Sequence, residues 1–335
     1  MQIGIGLGLE YSRLSGCDAN TDAFIIEVDT AKAGASNSDQ FEFTGALGDY
    51  DVVAKQNGTQ VATFNDLSGQ QTITLPSSGV YNLEVKSKEV NGFNRIRFNG
   101  GGDKLKITDI KQWGEVAWSS FERAFYGCEN MLVTATDVPN LSSVTNMDFM
   151  FYEASLANPD TSNWDVSNVT VMSAMFRDAS IANPNTSNWD LSNVTTIERM
   201  FNSTISNPDT SNWDLSSVTN MDRTFQDAPL ANPDTSNWDV SSVTNMERTF
   251  RKASSANPDV SNWDVSNVVN MSFMFEFSNL SVENLTLIYE NWSQLNLQQN
   301  VAFSAGTTKY NSSGQAGRDI LVNTYNWTIT DGGQV

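Results

Sequence analysis

The chain has 335 residues, with 39 acidic against 19 basic side chains, a net charge of −20 and no histidine. A surface this acidic repels phosphate backbones and anionic lipid, so nucleic acids and membrane surfaces are poor partners. The absence of histidine excludes Ser-His-Asp and Cys-His catalysis and most zinc sites, and no apolar run is long enough to span a membrane.

The first predicted element lies in residues 1–20 and is a strict alternation of apolar residues with glycine. On a strand the apolar side chains would share one face and leave the other face bare; they are Ile3, Ile5, Leu7 and Leu9. A bare face lets another backbone approach closely, so the pattern predicts a strand that docks on a partner protein. The alternative is an N-terminal strand of the chain's own first domain. The segment also lacks the basic start and the cleavage site of a secretory signal.

Residues 21–111 contain eight short β-rich runs separated by breaks rich in glycine and asparagine. One break, Asn57-Gly58, is a strong hairpin signal because both central positions of that turn favour positive φ. Runs at this spacing predict an immunoglobulin-like β-sandwich. The run over residues 78–85, Ser-Gly-Val-Tyr-Asn-Leu-Glu-Val, is similar to a strand of polycystic-kidney-disease-type (PKD-like) domains, which usually serve as spacers or binding modules.

Residues 112–280 are dominated by a repeat whose core is Asn-Pro-Asp-Thr-Ser-Asn-Trp-Asp-Val-Ser-Asn-Val-Thr-Asn-Met. Its five tryptophans lie 24 or 25 residues apart, at Trp164, Trp189, Trp213, Trp238 and Trp263. Two degenerate copies precede them, which makes about seven coils. A period of this length is typical of a solenoid.

Each unit contains two apolar patterns. Residues 161–166 alternate as in a strand, with Trp164 on the apolar face, and apolar residues over 169–179 recur at intervals of three and four, which predicts a short helix. Neither face can be buried within one unit, so stacking would bury both in a continuous column. Residues 281–335 are predicted to cap the array, beginning with a helix over 281–292.

The end of each unit carries a family signature, seen in Ala124-Phe-Tyr-Gly-Cys128, Met150-Phe-Tyr-Glu-Ala154 and Met175-Phe-Arg-Asp-Ala179. With it the chain resembles the BspA-like bacterial surface proteins, relatives of the treponemal-type leucine-rich-repeat proteins, over about residues 105–280. The resemblance implies adhesins or ligand-binding surface modules rather than enzymes. Those proteins carry an export signal or anchor, and this chain shows neither. The run Ile-Gly-Ile-Gly-Leu-Gly-Leu at residues 3–9 instead resembles the openings of phage virion proteins, which need no secretion.

Stacked units would place equivalent polar side chains in columns about 4.8 Å apart. Two such columns are candidates for ligand binding: a carboxylate ladder of Asp165, Asp190, Asp214, Asp239 and Asp264, and an amide ladder of Asn163, Asn188, Asn212, Asn237 and Asn262. Stacked carboxylates repel one another, so a bound calcium ion is a possible partner for them. The favoured alternative is that each aspartate bonds the backbone amides of the turn that follows it.

Other side chains recur on the second half of the unit. Acidic residues beside Arg199, Arg223 and Arg248 are predicted to form ion pairs across neighbouring units; they are Asp148, Glu198, Asp222 and Glu247. Four aromatic residues in variable positions are candidates for exposure and sugar binding, namely Tyr126, Phe149, Tyr152 and Phe273. Cys128 takes the place of a small buried alanine, which favours a buried apolar role over a nucleophilic one.

Together these features favour a non-enzymatic virion-associated protein of the phage tail-fibre, spike or receptor-binding type, whose solenoid binds a host-surface protein or polysaccharide. Residues 1–20 would attach it to virion structural proteins, and a homo-trimer is expected by analogy. The alternative is a bacterial cell-surface leucine-rich-repeat adhesin. A glycan-cleaving spike enzyme is a further alternative, but a catalytic pair of carboxylates should be unique, whereas these aspartates recur in every unit.

Overall fold

The computed structural model describes residues 22–88, 90 and 92–335 of the chain. It is mostly β with few helices, with 21% of residues in strands and 7% in helices. The mixed β class predicted from the sequence is confirmed at this level. The predicted docking strand, with Ile3, Ile5, Leu7 and Leu9, lies outside the described residues.

The N-terminal part of the fold is a six-stranded sheet with a two-stranded sheet beside it. The strands are β1 (Phe24–Asp29), β2 (Gln40–Glu42), β3 (Asp49–Gln56), β4 (Thr59–Ser68), β5 (Thr72–Thr74), β6 (Val80–Ser87), β7 (Ile107–Gln112) and β8 (Leu132–Val133). The larger sheet has the order β4-β3-β6-β1-β7-β8, and β2 pairs with β5. Its pairs are antiparallel except for β7 with β8, which joins the first sheet directly to the residues that follow it.

The strands follow the alternation of their sequences. In β1, Phe24, Ile26 and Val28 are fully buried while the residues between them are half-exposed. The β3–β4 hairpin turns at Asn57 and Gly58, which both have positive φ (51° and 78°), as predicted.

Residues 93–98, predicted as a further strand, form no strand among the described residues. Arg95 makes a one-residue bridge with Leu47, and the chain then turns toward the repeats. The backbone amide of Phe98 donates to the carbonyl of Ala124 at 3.0 Å, and that of Gly100 donates to Tyr126 at 3.1 Å. This segment therefore covers the carbonyl groups that the first repeat would otherwise expose.

The strand and helix predicted for each repeat are both wrong. Each unit is a succession of tight turns with a one-residue parallel bridge, as where Val171 pairs with Asn146 on one side and Thr196 on the other. Ala174 and Asp178 have φ values of 53° and 55°, which a right-handed helix excludes. The turns nevertheless bury residues three and four apart, and this spacing is what the sequence pattern detected.

The second half of each unit forms what we call a turn segment. The turn segments are residues 121–128, 147–154, 172–179, 197–204, 221–228, 246–253 and 271–278. Alternate amides of one segment donate to carbonyls of the next, as from Ala174 to Glu198 at 2.7 Å and from Phe176 to Met200 at 3.0 Å. The remaining amides close turns within the segment, as from Ala179 to Phe176. Backbone groups that a helix or sheet would pair are thus paired between and within units.

Buried side chains form columns that cross the units. One phenylalanine per turn segment stacks on the next, with ring centroids 5.4 to 5.8 Å apart, through Phe125, Phe151, Phe176, Phe201, Phe225, Phe250 and Phe275. Trp213, Trp238 and Trp263 form a second stack with centroids 5.8 and 5.7 Å apart. Stacked aromatic pairs contribute about 0.5–1.5 kcal/mol each beyond the burial of their surface, so these columns hold neighbouring units together.

A threonine column adds hydrogen bonds inside the array. The buried hydroxyl of Thr210 donates to the backbone carbonyl of Asp234 in the next unit at 2.7 Å, and the other units repeat this bond. In the last unit Val260 takes the position, and its carbonyl accepts the indole N–H of Trp292 from the C-terminal region at 3.1 Å. The change from threonine to valine therefore marks the point where the repeat ends.

The C-terminal region consists of α1 (Val282–Trp292), β9 (Ala302–Ser304), a 3₁₀ turn (312–314), α2 (Gln315–Asn323) and β10 (Thr328–Thr330). The predicted helix over 281–292 is confirmed, and the Ser281 hydroxyl caps it by accepting the amide of Asn284. The amides of Met271 and Phe275 in the last turn segment donate to residues of β9. Among the helices that the structure describes, none is both long enough and apolar enough to cross a bilayer.

Candidate functional site

The five aspartates of the carboxylate ladder lie on the surface, and each one bonds its own turn. Each accepts the backbone amide of the serine two residues later at 2.9–3.1 Å, as predicted by the favoured alternative; the acceptors are Asp165, Asp190, Asp214, Asp239 and Asp264. The serine hydroxyl and amide together hold the pKa of Asp165, Asp190 and Asp239 below its usual value. These carboxylates therefore act as turn caps.

The calcium site considered from the sequence finds no support in this geometry. Within residues 22–88, 90 and 92–335 there is no group of three or more acidic or cysteine side chains that could hold a metal ion. Calcium requires six to eight oxygen ligands, and the ladder carboxylates are directed at backbone amides instead.

The amide ladder is mostly internal to the array as well. The side-chain amides of Asn188, Asn212 and Asn237 donate to a serine carbonyl of the preceding unit at 3.0–3.1 Å. Asn262, which is exposed, makes no such bond to Ser236, nor any other side-chain hydrogen bond among the described residues. Asn163, in the first of the five units, likewise makes no side-chain hydrogen bond among the described residues. The predicted binding role of the ladder thus fits Asn163 and Asn262 better than the three asparagines that are already engaged, and of these two Asn262 lines a cleft.

A cleft lies at the step where the amide ladder is open. We call it the end cleft; it has a volume of about 390 Å³ and is lined by Asn232, Pro233, Asp234, Thr235, Ser236, Trp238, Asn257, Pro258, Asp259, Asn262 and Trp263. A second cleft of about 390 Å³ lies on the other side of Asn262 and Trp263, where α1 contributes Asn291 and the residues after it contribute Gln294 and Leu295. Asn262 and Trp263 therefore stand between two concave surfaces near the end of the array.

The tryptophans behind this edge are buried, and their indole N–H groups are not all paired. Trp238 donates to the carbonyl of Thr210 at 3.2 Å. Trp263 is 4% exposed, and its indole nitrogen has no partner among the described residues. The indoles of Trp164 and Trp213 are also without one, so the distinguishing feature of the end cleft is the open step at Asn262.

Charge is divided between two faces of the array. All basic side chains between residues 113 and 308 belong to the turn segments; they are Arg123, Arg177, Arg199, Arg223, Arg248, Arg251 and Lys252. The opposite edge, which we call the asparagine edge, comprises residues 158–165, 183–190, 207–214, 232–239 and 257–264 and carries acidic but no basic residues. Anionic ligands are therefore disfavoured on the asparagine edge.

The predicted ion-pair ladder on the turn segments is confirmed for Glu198, Asp222 and Glu247, whereas Asp148 forms no ion pair among the described residues. Arg199 contacts Glu198 of its own unit and lies 3.6 Å from Asp222 of the next, and Arg223 repeats the arrangement with Asp222 and Glu247. Despite these cations, burial raises the pKa of Asp222 to about 6. Burial likewise raises the pKa of Asp148 to about 6. Each has one carboxylate oxygen without a partner among the described residues.

The aromatic side chains proposed for sugar binding are less available than expected. Tyr126, Phe149 and Tyr152 are half-buried and pack against one another, with the Tyr126 and Tyr152 ring centroids 4.6 Å apart. Arg177 stacks over the Tyr152 ring, which leaves little open ring surface for a sugar. Phe273 is 40% exposed but lies under the guanidinium of Arg248.

One exposed feature was not anticipated from the sequence. Four aliphatic side chains, 42–54% exposed, recur once per unit at the corner before the asparagine edge: Leu156, Ile181, Ile205 and Leu230. The signal was present, because each lies two residues before an Asn-Pro pair. The pattern was missed because isolated apolar residues in a variable segment carry no helix or strand period.

The array also matches a known sequence family, described as Mycoplasma protein of unknown function, DUF285, over residues 119–206 and 202–315. These two matches cover more than half of the chain. The chain belongs to the DUF285 family. The DUF285 region starts just before the first turn segment and ends at the start of α2, so it contains the end cleft and excludes β1–β7. Searches of curated proteins and of solved structures found no match.

Proposed function

We propose that the stacked turn segments form a leucine-rich-repeat-like solenoid of the BspA-like type, preceded by an immunoglobulin/PKD-like sandwich over residues 21–111 and followed by a cap over 281–335. The parallel bridges that link Asn146, Val171 and Thr196 and their equivalents in later units support a single superhelical path. The phenylalanine column, which crosses all the turn segments, supports it too.

On this basis, the function is recognition of a host-surface protein or polysaccharide without catalysis. The observation that supports this proposal is that the asparagine edge repeats the same hydrogen bonds in all five units: each ladder aspartate caps its own turn. Catalysis needs one distinctive set of reacting groups, and glycoside hydrolysis in particular needs a pair of carboxylates free to reach substrate. An edge of capped aspartates offers a long binding surface instead.

The same proposal places the protein on a virion, attached through its N-terminal arm to virion structural proteins, as part of a fibre or spike that is trimeric by analogy. The alternative is a bacterial cell-surface adhesin, and the family description, which names Mycoplasma, is compatible with it. Mass spectrometry of purified virions and of washed host cells separates the two locations.

Binding itself is tested with the purified chain, fluorescently labelled and incubated with host cells before and after removal of surface polysaccharide. Saturable binding that depends on the polysaccharide or on a surface protein is expected. Absence of saturable binding to any host preparation contradicts the recognition function. Release of reducing ends from the polysaccharide during the same incubation would show that the chain is an enzyme.

A further inference from the structure

We propose that the end cleft is a subsite for one neutral sugar residue of a surface glycan, held by Asn262 and the two aspartates Asp234 and Asp259. This inference rests on the proposed recognition function and assigns it to one place on the asparagine edge. All five asparagine-edge segments carry the sequence Ser-Asn-Trp-Asp, so the assignment comes from what differs at this step.

The difference at this step is a missing hydrogen bond between two neighbouring units. At three earlier steps an asparagine amide bridges to a serine carbonyl of the preceding unit and closes the surface between two units. Between Ser236 and Asn262 this bridge is missing, and the Ser236 carbonyl has no donor among the described residues. The cleft occupies this gap, and its volume of about 390 Å³ lies within the range of small-molecule sites.

The cleft holds donors and acceptors that its own residues leave unused. The Asn262 amide can donate and accept, and it makes no side-chain hydrogen bond among the described residues. The Oδ1 atoms of Asp234 and Asp259 each accept a serine amide at 3.0 Å, which leaves their Oδ2 atoms as acceptors. These three side chains are exposed, so a ligand in the cleft can reach all of them.

These groups select the chemistry of the ligand. An anion would meet two carboxylates on an edge without basic residues, and a metal cation would find only two carboxylates and one amide oxygen, fewer than the six to eight oxygens that calcium takes. A hydroxyl group both donates to a carboxylate and accepts from an N–H group, and a neutral sugar carries several. Pro233 and Pro258 supply apolar wall against which the C–H faces of a sugar ring can pack.

The test uses the full chain on an array of neutral, sialylated and uronate-containing glycans, with Asn262→Ala and Asn193→Ala as the paired variants. Asn193 has the same chemistry but is bonded: its amide donates to the Ser167 carbonyl at 2.8 Å, far from the end cleft. We expect Asn262→Ala to weaken binding to a neutral glycan at least tenfold with an unchanged melting temperature. Asn193→Ala is expected to lower the melting temperature and keep wild-type binding.

Each outcome decides the matter. The inference is overturned if no neutral glycan is bound, if only the sialylated or uronate-containing glycans are bound, if a chelator abolishes binding, or if Asn262→Ala binds like the wild type. Cell binding measured in parallel keeps the two proposals apart. If the chain binds host cells but no neutral glycan, the subsite is refuted and the recognition function stands. If it binds neither, both proposals are refuted.

Discussion

The phenylalanine column predicts an energetic coupling between neighbouring units that can be measured by a double-mutant cycle. Phe225 and Phe250 stack with centroids 5.8 Å apart; Phe225 also stacks on Phe201 and Trp238, and Phe250 also stacks on Phe275. Each Phe→Leu change keeps an apolar side chain in the core; at 0.5–1.5 kcal/mol per stacked pair, Phe225→Leu removes three pairs and costs about 1.5–4.5 kcal/mol of the free energy of unfolding, and Phe250→Leu removes two and costs about 1–3 kcal/mol.

The double variant Phe225→Leu/Phe250→Leu removes four pairs rather than five, because the two residues share one. We therefore expect the double variant to be more stable than the sum of the single effects by about 0.5–1.5 kcal/mol. Phe176→Leu/Phe250→Leu is the matched control, since Phe201 and Phe225 separate these rings and they share no pair. Urea unfolding followed by tryptophan fluorescence and by circular dichroism measures the three single and two double variants. Equal coupling in the two pairs, or additivity in both, would refute the column as a source of stability.

Further predictions address buried polar groups and the ladder. The buried Cys128 thiol, whose pKa is raised by burial, should resist thiol reagents in the native protein of a Cys17→Ser background and react once urea unfolds it. Thr210→Val leaves the Asp234 carbonyl unpaired and should cost about 1–3 kcal/mol in urea unfolding, and a neutral effect contradicts the threonine column. Burial raises the pKa of Asp222 to about 6, whereas the same carboxyl in the unfolded chain titrates near 3.8. The folded protein therefore binds this proton more tightly, and the stability that the proton contributes is lost as the pH rises through about 6. Relative to the wild type, Asp222→Asn should therefore gain melting temperature between about pH 4 and pH 6.5, and a constant difference would show that this carboxyl titrates normally. A chelator should leave the melting temperature unchanged, since the carboxylate ladder bonds its own turns; a clear fall would restore calcium as a partner.

The sequence predicted that the repeats bury a column of apolar side chains, but it did not predict the backbone conformation of the turn segments. Residues such as Met172, Phe176 and Ala179 are all buried, as a helical pattern requires, yet the chain reaches this burial through turns. Glycine or asparagine usually marks a residue with positive φ, whereas here Ala174 and its equivalents Arg199 and Arg223 adopt it. That conformation costs roughly 1–2 kcal/mol per residue, and the hydrogen bonds to neighbouring units offset it. Contacts between units are not visible in the sequence of one unit.

In the candidate site, too, one feature could be predicted from the sequence and another could not. The aspartate turn caps could be predicted, because Asp-x-Ser is a local pattern that closes its own turn. The open step at Asn262 could not, because the same Ser-Asn-Trp-Asp surrounds Asn237, whose amide is bonded. The one nearby departure in sequence is Val260, which ends the threonine column three residues before Trp263. It signals that the last unit is different without indicating where the surface opens.

The one-way hydrogen bonding between turn segments has a consequence for how such a molecule changes length. Alternate amides of a segment point toward the C-terminal neighbour, from the first segment to β9, so the junctions along the stack are interchangeable. Deleting or duplicating one 24- or 25-residue module would bring together two surfaces that already fit, and both terminal pieces would keep their partners. The length of the stack can thus change in steps of one ring spacing, 5.4 to 5.8 Å, by duplication or deletion of a repeat in the gene, with the same kind of contact at each junction.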